Sequence, residues 1–384
     1  MRLLVKNTNL TLRVSLTLLR LTGFWPPNDF EGWKLALFYC YGFLWFSFLL
    51  GVFIFTEIGD LCSVWGNLPL MTATTFLLFT NIAHALKFIS LITRRKSILT
   101  MITTSEKSLR AEKSIEGRNI IKSCDRETCQ HLIIYLVLTF VTAVGFAASS
   151  EKNMLPFRAW YPYDINKSPA YELTYIHQVF AVTLAALLNI SKDSLVTSLI
   201  AQCRCRLCLV GLSLRNLNIH LTQFPSSQKI VEKRLKIYVM EHQQVLETVE
   251  LLQNTFSEPI FIQFNVSRLI ICVSAFQLVS ETTNLIRFLS LGTYLMNMLF
   301  QVFTYCYQGD KLSSESEEVS EAAYDVPWYS CSVRVRSSVQ IVMVRCRRIA
   351  KITVGGLTVL SLDTFTAILK TSYSLFTLLQ QVTE

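Results

Sequence analysis

Charge is what this 384-residue sequence has least of: 16% of its residues are Asp, Glu, Lys or Arg, against roughly 25% in an ordinary soluble domain. Short motifs that announce a nucleotide or catalytic site are missing too, with no GxGxxG, Walker loop, HExxH or GxSxG. The five histidines, His84, His131, His177, His220 and His242, are scattered. No catalytic residue, cofactor or metal is therefore expected, and an enzyme is not the reading. A cleavable signal peptide is not expected either, because Arg2, Lys6, Arg13 and Arg20 interrupt the early apolar positions. Of the eleven cysteines only Cys62 falls in a loop predicted to lie outside, which excludes an extracellular disulfide framework. The cluster Cys203, Cys205 and Cys208 in "AQCRCRLC" has no histidine or fourth thiol at ligand spacing. It reads as reduced thiols or a lipidated juxtamembrane site.

What the sequence does have is apolar length: 51% of residues are hydrophobic, in long blocks. A hydrocarbon core of about 30 Å takes about 20 helical residues, and seven such spans are read, at 35–57, 69–93, 132–150, 174–201, 258–280, 284–308 and 356–380. The expected fold is all-α, a polytopic membrane protein with seven transmembrane helices. Basic residues set its direction. Residues 1–34, 94–131, 202–257 and 309–355 together hold 28 Lys and Arg, the opposite loops three. The positive-inside rule makes the N-terminus cytoplasmic and, after seven crossings, the C-terminus extracellular. The net charge of +9 is then mainly an orientation signal, with attraction to anionic membrane lipid as a by-product and no nucleic-acid partner expected.

Finer features follow. Residues 10–22 read as an amphipathic helix on the inner membrane face, with Arg13 and Arg20 on one side and Leu12, Leu18 and Leu19 nearer the other. Residues 94–131 and 202–257 read as continuations of the flanking helices, since apolar residues recur at helical spacing in "VLETVELLQNTF". Lys192 and Asp193 are adjacent within the fourth span, point about 100° apart, and should pair with other helices. Two sequons lie outside the predicted spans, at Asn9 and Asn166; only the second is predicted outside the membrane, and Pro169 follows it closely.

Lys370 stands in the last apolar run, "TFTAILKTSYSLFTLL", at a cost of about 2.5–3.5 kcal/mol for a charge at a helix centre. The sequence into and through that run is the most specific in the chain. Before it come Tyr305, Cys306, Tyr307, Gly309, Asp310, Leu312, Glu315, Ser316, Ala323, Tyr324, Trp328 and Tyr329. In and around the span itself come Gly355, Gly356, Ser361, Phe365, Lys370, Tyr373, Ser374 and Leu378. This combination resembles the C-terminal signature of the insect odorant receptors. Length, seven spans, a cytoplasmic N-terminus and "SKD" at 191–193 agree more weakly.

The resemblance implies a subunit of a ligand-gated cation channel at the plasma membrane of a sensory neuron, assembled with a shared co-receptor into a heterotetramer. The co-receptor is a longer chain with an extended second cytoplasmic loop, so this one is read as a tuning subunit. The implied organisation is a cytoplasmic segment at 1–34, six spans with helical extensions at 35–308, a cytoplasmic loop with the subunit contact at 309–355, and a pore-lining seventh helix with a short tail at 356–384. Tyr324, Trp328 and Tyr329 are the expected subunit contact. Tyr373, Phe376, Thr377 and Gln380 are expected to border the pore. A small volatile ligand wants a dry, largely aromatic pocket in the outer half of the bundle. The stripes that offer one are Thr75 and Phe79; Phe140, Val144 and Ala147; His177, Phe180, Ala181 and Leu184; and Phe288, Ser290 and Tyr294, with His177 and Tyr294 as hydrogen-bonding anchors. Two rival readings remain. A G-protein-coupled receptor would have the opposite orientation, and the chain shows neither DRY nor NPxxY; a transporter would show paired broken helices or repeats.

Overall fold

The apolar blocks become helices that run well past the membrane-length segments. The computed structural model describes residues 9–27, 29–66, 68–149, 155–165, 167–223, 228–280 and 284–383. In chain order the helices are α1 (Leu10–Leu21), α2 (Trp33–Phe46), α3 (Val52–Ser63), α4 (Leu68–Thr93), α5 (Arg95–Ala111), α6 (Ile115–Ala148), α7 (Ala170–Gln223), α8 (Gln228–Ser280), α9 (Leu285–Tyr324), α10 (Val333–Cys346) and α11 (Leu362–Thr383). A π-helical turn, Ser47–Gly51, joins α2 to α3. By length and composition alone, six described segments can cross a membrane: Trp33–Ser63, Leu70–Thr93, Ile115–Ala148, Ala170–Leu217, Lys229–Ser280 and Leu285–Tyr324. α11 is not among them; its 22 residues are long enough, but Asp363, Lys370 and a row of hydroxyls lower its hydropathy.

α7 is the central post, packing against α9, α6, α8 and α1. The 54-residue α7 and 53-residue α8 carry the core beyond the bilayer-length part, where Leu207, Leu214, Leu235, Val245 and Leu252 are buried. Residues 10–22, expected on the membrane face, instead dock into the bundle. Leu12 and Leu19 are fully buried against it and Arg13 points outward. Asn9 caps this helix, accepting from the Thr11 amide at 2.9 Å and donating to Asp125 and Thr128 of α6 at 2.9 and 3.1 Å. Asn166 lies outside the described residues.

The seventh apolar run starts later as a helix than its hydropathy implies. Residues 353–359 form a two-stranded antiparallel hairpin, Thr353–Val354 with Thr358–Val359. Gly355 and Gly356 both sit at positive φ, 61° and 70°, and the Leu357 amide closes the turn on the Val354 carbonyl at 3.2 Å; L-side chains rarely take such conformations. α8 grips the hairpin. Gln253 exchanges hydrogen bonds with the Thr353 backbone at 2.6 Å each way, and Ser257 donates to the Thr353 carbonyl at 2.8 Å. Ser361 then receives the Thr364 amide at 3.3 Å, opening α11. Gly309 of α9 lies directly against Leu360, where an added Cβ would meet the Leu360 carbonyl oxygen at 2.7 Å.

These contacts give a direct stability test. Gly309→Ala and Gly355→Ala should each cost about 1–3 kcal/mol through overpacking, with backbone strain added at Gly355. Gly211→Ala, in the open interior of α7 with nothing within 4 Å, should leave stability unchanged or raise it by about 0.5–1 kcal/mol. Melting curves of the detergent-solubilised protein separate the two classes; equal behaviour of all three would mean the glycine contacts do not hold the hairpin.

A candidate odorant cavity and the charged hub beneath it

Polar residues in an apolar helix turn inward, because lipid offers them no partner. In the spans they recur three or four apart: Thr80 and His84 on α4, Tyr135, Thr139 and Thr142 on α6, Tyr294 and Asn297 on α9. With Asn189 of α7 these side chains line a cavity of about 70 Å³, measured as the volume open to the centre of a water-sized sphere. A single trapped water needs almost no volume by that measure, so a small organic molecule fits. The rest of the wall is mainly apolar, with Leu77, Phe146, Val182, Ile190 and Met298. Phe157, from the loop after α6, completes the lining. That loop is tied down by a reciprocal pair between the Phe157 backbone and Gln178, at 2.9 and 3.1 Å, and by Arg158 on Asp60 of α3 at 3.0 Å.

Beneath the cavity lies a buried charged cluster. Asp193 of α7 accepts from Lys87 of α4 at 2.8 Å, from Tyr135 of α6 at 3.1 Å, and from Tyr305 at 2.9 Å and Gln301, both of α9. Asn189 joins it to the cavity wall, donating to the Tyr135 hydroxyl at 3.2 Å and accepting from Lys87 at 3.0 Å. Lys192, the neighbour of Asp193, turns away; it donates to the His84 carbonyl at 3.2 Å and lies 3.7 Å over the Phe88 ring. Thus the two adjacent charges do pair with other helices, and one carboxylate ties three neighbouring helices to α7.

The residues expected to bind ligand are not brought to one place. Ala147 and Tyr294 line the cavity, Tyr294 sharing a hydrogen bond with Thr80 at 2.7 Å. Ala181 and Leu184 line a smaller apolar cleft against Phe24, Trp45 and Phe46. Phe180 packs on Trp45 at that edge. Phe140 and Val144 are 69% and 50% exposed on the outer surface of α6. His177 is bonded to the Phe48 carbonyl at 3.2 Å. Ser290 is buried against Gly145, Phe288 is exposed, Phe79 packs on the core, and Thr75 bonds back to Met71 of its own helix. The signal that finds the cavity is therefore polar periodicity within the spans, not aromatic periodicity.

The other two groups of candidate residues lie on surfaces. Tyr324 and Tyr329 are exposed, with Trp328 packed partly on the core. α11 covers one face, Thr364, Ile368 and Ser372, against the body of the chain, with Phe365 against Phe303 of α9. Tyr373 is exposed, Phe376, Thr377 and Gln380 half-buried, and Lys370 exposed. Among the described residues no group of three or more His, Cys, Asp or Glu is arranged to hold a metal ion.

Comparison with known proteins agrees with this architecture. Residues 67–373 match the family model described as 7tm Odorant receptor. Odorant receptor 82a of Drosophila melanogaster is 23% identical over 330 residues, covering 81% of this chain and 84% of its own. Odorant receptor Or1 of Anopheles gambiae is also 23% identical, over 407 residues, covering 96% and 94%. The structure of the olfactory receptor OR5 of Machilis hrabei in complex with eugenol superposes with a TM-score of 0.82 at 18% identity, over 97% of both chains. A second structure of the same receptor gives 0.78 at 19%, over 96% of this chain and 97% of its own. These relatives are receptors and not enzymes, and this chain's own long apolar helices are those of a multi-pass membrane protein. With the family model spanning most of its length, this chain belongs to the 7tm odorant receptor family.

Proposed function

We propose that the chain is the odorant-tuning subunit of a heteromeric, odorant-gated, non-selective cation channel in the plasma membrane, its N-terminus cytoplasmic and its C-terminus outside. The observation that carries this reading is the cavity between α4, α6, α7 and α9, mostly apolar and lined by a few polar groups, as capture of a small volatile requires. The olfactory receptor that superposes on the chain is described in complex with eugenol, a molecule of suitable size. Pore lining is assigned to α11, with Tyr373, Phe376, Thr377 and Gln380 along the conduction path. Partner contact is assigned to the exposed Tyr324 and Tyr329 with Trp328 beside them, aromatic anchors of the kind that carry protein interfaces.

Expression tests the reading. Alone, in a host lacking the co-receptor, the chain should give little odorant-evoked current; with the co-receptor it should give a current that does not discriminate among small cations. Robust odorant currents from the chain by itself would remove the co-receptor from the proposal. Epitope tags at both ends, scored on intact cells, test the orientation: an inaccessible C-terminus would overturn it.

A further inference from the structure

We infer that Arg94 is a positioning residue for gating: it closes a break that Pro259 makes in α8, and so joins the odorant cavity to the start of α11. This rests on the cavity being the odorant site and α11 the pore helix. Proline has no amide hydrogen, so inside a helix it leaves the carbonyl four residues earlier without its partner and bends the axis. Pro259 lies within the 53-residue α8, and the carbonyl it frees is that of Thr255. Arg94 supplies the missing donor. Its Nη1 donates to the Thr255 carbonyl at 2.6 Å and to the Asn254 carbonyl at 2.7 Å, and its Nη2 to the Glu258 carboxylate at 2.5 Å. The Thr255 hydroxyl turns back on the Leu251 carbonyl at 2.6 Å, a contact that bends a helix further. Arg94 is itself a joint, the single residue between α4 and α5, so the guanidinium of one joint fills the other.

Each end of this contact leads to a part of the site. Thr80, Lys87 and Arg94 are spaced by seven, which keeps them within about 40° of one direction along α4 and its last turn. Thr80 lines the cavity and shares a hydrogen bond with Tyr294, and Lys87 enters the Asp193 cluster. On α8, Gln253 and Ser257 before the proline and Phe261 after it all hold the hairpin that opens into α11. Gln253 and Ser257 bond the Thr353 backbone, and the Ser257 hydroxyl also accepts from the Gly355 amide at 3.0 Å. The Phe261 ring lies so close to Gly355 that an added Cβ would meet it at 2.6 Å. The hairpin therefore straddles the break, and a change of angle at Pro259 moves Phe261 against Ser257 and passes to α11. Space for such a change lies beside it: a cleft of about 240 Å³, by the same measure as the cavity, runs between α4 and α8 and is lined by Lys87, Arg94, Glu258 and Pro259.

Two measurements test this. In melting curves of the detergent-solubilised chain, Arg94→Gln should lower the melting temperature by about 2 °C or more. In a Pro259→Ala background, where residue 259 regains an amide for the Thr255 carbonyl, the same change should cost less than half as much. Equal losses in the two backgrounds would show that Arg94 does not close the break. For gating, each variant is co-expressed with the co-receptor, and the current evoked by a volatile is divided by that evoked by a co-receptor agonist in the same cells. The volatile is whichever member of a panel of small alcohols, esters, aldehydes, ketones and terpenoids gives the largest current in the parent. Pro259→Ala and Arg94→Gln should each lower that ratio about fivefold or more, the low end of ordinary coupling between two sites. A purely structural role for Arg94 would lower both currents together and leave the ratio unmoved. Where Arg94→Gln does not assemble, Pro259→Ala decides alone. A ratio within about twofold of the parent's in Pro259→Ala overturns the inference and leaves the odorant site and the pore standing. A parent that answers the co-receptor agonist and no member of the panel counts against the proposed function, and the inference falls with it.

Discussion

Asp193→Ala should remove most of the folded receptor from cells. The carboxylate is buried, and it accepts from Lys87, Tyr135, Tyr305 and Gln301, which come from three different helices. Truncation leaves the Lys87 ammonium in the bundle interior with Asn189 as its remaining partner. It also leaves two hydroxyls and an amide without the acceptor they share. Breaking a buried pair by deleting one member costs about 3–5 kcal/mol, more than a hundredfold in the ratio of folded to unfolded protein. Fluorescence-detected size exclusion of the tagged protein reads this as loss of the monodisperse peak. The double variant Lys87→Met with Asp193→Leu should recover much of it, because an apolar pair of similar volume relieves the uncompensated charge. A wild-type peak and melting temperature for Asp193→Ala would mean that the helices are held together elsewhere, through contacts such as Asn297 with Thr139.

That hub also shows how far the sequence could be read. The all-α membrane architecture was legible because the bilayer imposes a length, and a run of about 20 apolar residues is seldom needed for anything but crossing it. Six of the seven runs read from the sequence meet that test by length and composition, and α11 does not. The pairing of Lys192 and Asp193 with other helices was legible as a necessity, since neither could face lipid. Which partners they take was not: Lys87 lies over a hundred residues away, and helical periodicity says nothing about which faces meet. The structure scatters the aromatic stripes read as a pocket, and for a physical reason. Aromatic residues are as stable against lipid as inside the bundle, so Phe140 on the outer face of α6 looks in sequence like a pocket residue. Thr80, His84 and Asn297 have no such freedom, and their spacing was the usable signal. The start of α11 was hidden for a different reason. A hairpin of Thr, Val and Leu around two glycines continues the apolar run, although the positive φ of Gly355 and Gly356 prevents the helix from beginning before Ser361.

Cysteine substitution along α11 should expose the conduction path at Phe376 and Gln380, and Lys370 should prove to lie off it. α11 seals Thr364, Ile368 and Ser372 against the rest of the chain. Lys370 stands about 200° round the helix from Ile368, exposed, with no ionic partner among the described residues. A face carrying Thr366, Lys370, Tyr373 and Ser374 is too polar for lipid, at about 2.5–3.5 kcal/mol for the lysine alone. It must meet either another subunit or water. Phe376 and Gln380 lie between that face and the covered one, half-buried in the single chain, in the last turns of the helix. In the proposed assembly they border the narrow outer part of the pore, and Lys370 sits deeper, at a subunit contact or in water below the constriction. Phe376→Cys and Gln380→Cys, co-expressed with the co-receptor, should therefore lose most of their current when a charged thiol reagent is applied from outside. Cys40 and Cys62 are exposed in the parent chain, so the comparison is made in a background with both changed to serine. Lys370→Met should weaken assembly or slow gating and leave the preference for cations over anions nearly unchanged. If instead both cysteine variants stay inert to the reagent and Lys370→Met shifts reversal potentials in an anion gradient, the lysine faces the ions. α11 would then be rotated so that the row of Thr366, Lys370 and Thr377 forms the wall of the pore.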